Sequence, residues 1–336
     1  MPLPLIPIIV AGATAVSAAV AGKKGYDSYN NMKDTKELAE NLKYKYKTSS
    51  TNFQLSRDDT NRTFENYGKV KLEILGGTMK QFVESFKQIK NVTFKGEAVT
   101  DKFVSNSEIE RFVLHLETQV VKAGQIMTAG VASLAGGGLA AMGAVGATAT
   151  FSAASTGTAI ATLSGIAAQN ATLAFLGGGS LAAGGLGVAG GTMVLGGIAL
   201  APALAIGSLI FAASTEKKLL EMHAKEAEVN SELQKLESAS TVMAQIRATT
   251  KSMQKLAIST DKLLASNVGK MENIITNKGK DFRNFSVEEQ VIIHNNYKLA
   301  IIMRDILNTT ILDEKGELIP NLQSVISAEK QKISAI

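Results

Sequence analysis

Between Lys122 and Glu216 the chain carries no Asp, Glu, Lys, Arg or His. Ninety-three consecutive residues without a formal charge constrain its folding more than any other feature. A water-facing helix needs a polar face, and here only Ser, Thr and a few amides are present to make one. The stretch therefore needs an apolar surrounding, either a bilayer or a coat of other helices. At ~20 residues per span it holds up to four membrane-crossing helices. The Ser/Thr-rich run 148–158, the pair Gln169-Asn170 and the glycine cluster 190–197 divide it. The resulting segments are roughly 126–147, 157–168, 171–189 and 192–213. The second is too short to span, so two or three crossing helices fit equally well. Pro202 would kink the last segment.

Small residues recur every fourth position in this centre. Ala132, Gly136, Ala140, Ala144 and Thr148 form one row. Gly179, Ala183, Gly187 and Gly191 form a second, and Gly197, Ala201 and Ala205 a third. Such rows lie on one helix face and let two backbones approach closely, as in membrane helix pairs. In water the same glycines weaken a helix, by about 0.8–1 kcal/mol each relative to Ala. Gly185, Gly187 and Gly190 also satisfy G-x-G-x-x-G, the dinucleotide fingerprint. That motif needs a preceding strand and an acidic residue ~20 positions on. Gly- and Ala-rich sequence precedes it and the next acid is Glu216, so we read it as a coincidence of glycine density.

The flanks are charged. Residues 23–122 carry 18 Lys/Arg against 14 Asp/Glu, and residues 216–336 carry 17 against 16. Leu72, Leu75, Met79, Phe82, Val83, Phe86 and Ile89 fall three and four apart, an amphipathic face interrupted at Gly76-Gly77. Leu38, Leu42 and Tyr46 repeat four apart in the more polar stretch before it. From Asn106 a further helix places Ile109, Phe112, Val113, Leu116, Val120 and Val121 on one side. Residues 216–275 read as one long helix, coiled-coil-like, with Leu236, Met243, Met253, Leu264 and Met271 among its apolar positions. Asn277 to Ser286 breaks it, and Ser286-Val-Glu-Glu289 reads as a capping box for a helix through Leu307. Strand alternation is absent, so the expected fold is all-α: long amphipathic helices flanking a Gly/Ala-rich hydrophobic helical hairpin.

Residues 1–22 are wholly apolar or small, then come Lys23 and Lys24. A cleaved signal peptide, a membrane anchor and a core helix all remain open. The full division is then 1–22, an apolar N-terminal segment; 23–122, a helical region; 123–215, the uncharged hairpin; and 216–336, a long helix with a helical tail.

Catalytic chemistry finds little footing. There is no cysteine, which removes disulfides, thiolate metal sites and thiol catalysis. No P-loop and no G-x-S-x-G elbow occurs. His115, His223 and His294 sit on separate helices without ligand spacing to one another or to an acid. The net charge of +5 is mild and no dense basic run is present, so no nucleic-acid partner is expected. No cofactor and no metal are expected either.

The order of charged helix, Gly/Ala-rich hydrophobic hairpin (124–213) and long charged helix (216–275) resembles the α-pore-forming toxins. Apolipoprotein L proteins share a similar plan. "MPLPLIPIIVAG" and "ATLAFLGGGSLAAGGLGVAGG" also resemble a group of uncharacterised bacterial proteins with a glycine-rich hydrophobic centre. These resemblances imply a bacterial, membrane-associated protein, possible in soluble form before insertion. It would act without catalysis, inserting the hairpin into a lipid bilayer and self-associating there, as a homo-oligomer or with related subunits, to form a pore. Lys23, Lys24, Lys122, Lys217 and Lys218 would mark the membrane boundary. Two alternatives stay open: a constitutive membrane scaffold without a pore, and a soluble bundle with a buried glycine-rich core.

Overall fold

The computed structural model describes residues 23–94, 106–129, 143–144, 215–312 and 318–336; for 23–36, 126, 128–129 and 215–225 it describes the backbone alone. These residues are 88% helical and form no strand, so the chain is all-α as its periodicity requires. The helices are α1 (Lys23–Ile74), α2 (Lys80–Phe86), α3 (Asn106–Ala129), α4 (Thr215–Lys278), α5 (Val287–Asn308) and α6 (Leu322–Ser334).

Local chemistry explains the helix ends. No proline occurs within α1 or α4, so nothing removes an internal hydrogen bond over either length. The Gly76-Gly77 interruption takes the form of a π turn, Leu75–Met79, which passes directly into α2. Such a turn inserts one extra residue without ending the helix. Its Thr78 donates to the Asp261 carboxylate on α4, where desolvation nevertheless holds that acid above its ordinary range. Helix α4 stops at Gly279, whose φ of +83° suits glycine, and the Gly279 amide donates to the Ile275 carbonyl at 3.0 Å. Ser286 then caps α5 as its sequence predicts. Its hydroxyl accepts from the Glu289 amide at 3.2 Å, and the Glu289 carboxylate accepts from the Ser286 amide at 2.8 Å.

Contacts divide the chain into two compact units: 1–57 with 196–243, and 58–195 with 244–336. In the first, α1 and α4 lie side by side. Leu42 packs on Val229 with Leu38, Ala39 and Leu233 around it, and Phe53 packs with Leu236, Ala239 and Met243 beside Tyr46. Both helices advance in the same sense, so the pair is parallel. Its two clusters are small, and much of each helix faces water.

The second unit holds the main core, which runs from Phe64 to Ile326. Side-chain bonds give the helix directions. Arg247 donates to Thr60 at 3.1 Å and Ser85 donates to Glu272 at 2.9 Å, both pairs 187 residues apart, so α1–α2 and α4 run parallel here. Lys87 pairs with Glu117 at 2.7 Å while Gly76 meets Met127, so α3 is antiparallel to them. Asn296 donates to the Asn267 carbonyl at 2.9 Å and Tyr67 to the Ile306 carbonyl at 3.5 Å, which makes α5 antiparallel as well. The four form an up-down-up-down bundle. At one end Phe82, Phe86, Phe94, Phe112, Phe282, Phe285 and Tyr297 interlock, with successive centroids 5.2–6.0 Å apart. The Lys90 amide and carbonyl bridge that end to Lys280 and Phe282 at 2.7 and 3.0 Å.

The two faces before and within α3 are buried with one exception, whereas Leu38 and Tyr46 are only half-buried beside buried Leu42, and Leu263 on α4 is exposed. Leu72 to Ile89 and Ile109 to Val120 lie in the core, but Val121 is 51% exposed. It follows Val120 by one residue, which turns it about 100° away from the buried stripe.

Candidate functional site

Among the described residues the uncharged run enters the bundle along the end of α3, at Ala123 and Met127, and again at Gly143-Ala144. Ala144 is fully buried, and its carbonyl accepts two amides, from Ile311 at 2.8 Å and Leu312 at 3.2 Å. Gly143 lies against the α1 backbone. A Cβ at this position would fall on the carbonyl and Cα of Phe64, so the close approach requires glycine.

The donors come from the segment that follows α5. At Thr309 the chain leaves the helix in an extended conformation (φ −63°, ψ 121°), and its hydroxyl donates back to the Asp305 carbonyl at 2.8 Å. The sequence Thr309-Thr310-Ile311 is β-branched, which favours that extension. Past the helix end the Ile311 and Leu312 amides have no helical partners, and a bend at Ile311 turns both toward the Ala144 carbonyl. Ile319 in turn donates to the Ile311 carbonyl at 3.0 Å, and Leu312 forms a bridge with Leu318. Ile311 and Leu312 are themselves buried. The result is a dry clasp made from backbone groups around a single alanine.

Behind this clasp, along α1, stand Phe64, Tyr67 and Lys71, each buried. The Lys71 ammonium nitrogen lies 4.5 Å from the Tyr67 ring centroid. Burial pushes the Lys71 amine down from 10.5 to about 7 and holds the Tyr67 phenol above its ordinary value. The Tyr67 hydroxyl reaches the Ile306 carbonyl, at the long limit for a hydrogen bond. The composition-based reading missed Lys71. Its spacing was visible: 64, 67, 71 and 74 fall three and four apart, so a lysine occupies a core position of an apolar stripe.

Of the predicted packing residues, only Ala144 is among those described. Ala132, Gly136, Ala140, Gly179, Ala183, Gly187, Gly191, Gly197, Ala201 and Ala205 lie outside the described residues. Lys122 is half-buried on α3 in the second unit, while Lys23, Lys24, Lys217 and Lys218 fall on helical backbone assigned to the first. They are not gathered into one compact unit. His115 contacts Gln119 at 3.4 Å on α3, and His294 stacks on Phe94 at 4.4 Å. Among the described residues no group of three or more His, Asp or Glu could hold a metal. None of the described helices is long and apolar enough to cross a membrane. No family model, no curated protein and no solved structure matches this chain.

Proposed function

We propose that this protein acts without catalysis, by inserting residues 123–215 into a lipid bilayer and assembling there into an oligomeric pore. The observation that carries the proposal is the uncharged run of 93 residues. Charge-free length on that scale satisfies the hydrocarbon interior, where each Asp, Lys or Arg costs about 2.5–3.5 kcal/mol. The described flanks support it: they supply nearly all of the core from Phe64 to Ile326, to which the run adds Ala123 and Ala144, and they stay charged on their outer faces. The glycine rows supply the helix contacts within the membrane.

The test is flotation with liposomes and release of an entrapped dye, together with cell fractionation and oligomer size in each pool. Binding with release supports the pore, and binding without release at any pH or lipid composition sinks it. Replacing Gly187 and Gly191 by Leu should cut release about tenfold or more, at the 1–2 kcal/mol typical of a membrane helix contact. Unchanged release and oligomer size would refute the packing role. A second reading has one observation in its favour: Ala144 is buried in the bundle core, as a soluble protein with a permanently covered glycine-rich centre requires. A monomer that never floats with liposomes would favour that reading.

A further inference from the structure

We infer that the segment Thr309–Leu312, which leaves α5 at Thr309 and bends at Ile311, is a latch that holds Gly143-Ala144 of the uncharged run against the bundle, and that its release limits insertion. The inference rests on the membrane reading above. Its own grounds are geometric. The clasp joins three separated parts of the chain: Phe64 on α1, Gly143-Ala144, and Ile311-Leu312 beyond α5. It has no side-chain grip on the run. Ala144 offers a methyl group and one carbonyl, Gly143 only backbone.

Such a contact suits reversible holding. In the closed state the Ala144 carbonyl and both amides are satisfied in a dry place. On opening, all three groups meet water and recover hydrogen bonds there, so the net loss is small. Ala144 can then part from Ile311 and Leu312 without stranding any of these three groups. Two features keep the latch shut. One is the extended exit at Thr309, tied to Asp305 at 2.8 Å. The other is the Ile319–Ile311 bond, which braces the donor segment from its far side at 3.0 Å. Among the described residues, opening takes Ile311 and Leu312 off Ala144 and Gly143 off the Phe64 backbone.

The natural chain has no cysteine, which allows a direct test on the full-length protein. Ala144→Cys combined with Ile311→Cys or with Leu312→Cys should oxidise to a cross-link. The locked protein should release dye at least about tenfold more slowly than the wild type, and reductant should restore the rate. In the opposite direction, Gly143→Ala and Gly143→Val place carbon on the Phe64 backbone, and overpacking of this kind opens a contact by about fivefold to a hundredfold in equilibrium terms. Both should speed release, Val more than Ala. Amide exchange at 311 and 312 should rise while exchange within α4 and α5 stays slow. Exchange and release unaltered by Gly143→Ala, or release from the locked protein at the wild-type rate, overturns the latch and leaves the membrane reading intact. Absence of release from the wild-type chain overturns the membrane reading and the latch's role with it. Loss of folding in Gly143→Val leaves the judgement to the alanine variant and the cross-link.

Discussion

Burying Lys71 carries a cost to the fold. Its amine is wholly buried, and burial lowers it from 10.5 to about 7. At 1.36 kcal/mol per decade, that fall corresponds to about 5 kcal/mol of differential interaction. The sign follows from proton counting. Between pH 7 and 10.5 the unfolded chain binds a proton at Lys71 that the folded chain does not, so stability rises with pH across that window. Below pH 7 both states are charged and the full cost remains. Tyr67 acts from the other side: burial raises its phenol, so the stability it contributes is present below pH 10 and is lost as the pH climbs further. Urea unfolding followed across pH should therefore show rising stability from 7 towards 10. Lys71→Met should remove most of that slope and stabilise the protein near pH 7, because a buried charge gives way to an apolar chain of similar length. An unchanged slope in the variant would show that the surroundings compensate the ammonium ion in full.

Capping and pairing decide matters at the level of the element. The Ser286–Glu289 box closes both ends of one exchange, at 3.2 and 2.8 Å, and starts α5 where the sequence placed it. Ser286→Ala should cost about 1 kcal/mol, the usual value for a lost N-cap, and should raise amide exchange in the first turn of α5 without affecting α6. Exchange unchanged in that turn would mean the helix start is held by packing. Periodicity located α3, the π turn, α4 and α5, since Gly, Pro and capping residues act on their neighbours alone. Periodicity could not show that α1 and α4 run parallel. Each apolar stripe accepts a partner in either direction, and the choice rests on bonds such as Thr60–Arg247 and Ser85–Glu272 across 187 residues.

For the whole molecule, the division of labour between charged flanks and uncharged centre makes one substitution decisive. Ala183→Asp puts a carboxylate into the run. If the run enters a membrane, the charge costs about 2.5–3.5 kcal/mol and should lower dye release about a hundredfold, with the urea unfolding of the soluble form unaltered. If the run is a permanent core, the same charge should destabilise the fold itself, visible as a lower urea midpoint. The sequence alone determined that the described chain is helical, that α4 runs unbroken to the glycine break near 279 and α5 starts at Ser286, and that one stretch needs an apolar surrounding. Those properties follow from short-range periodicity, capping and charge, and each residue carries its share regardless of distant partners. Only the tertiary structure decided that Lys71 lies buried over Tyr67, that α1 and α4 align in parallel, and that Ala144 is held by the Ile311 and Leu312 amides. Lys71 and Tyr67 stand one turn apart on α1, but their burial depends on the helices packed over them; the other two arrangements join residues far apart in the chain, and a backbone carbonyl or amide looks the same in every sequence until folding selects its partner.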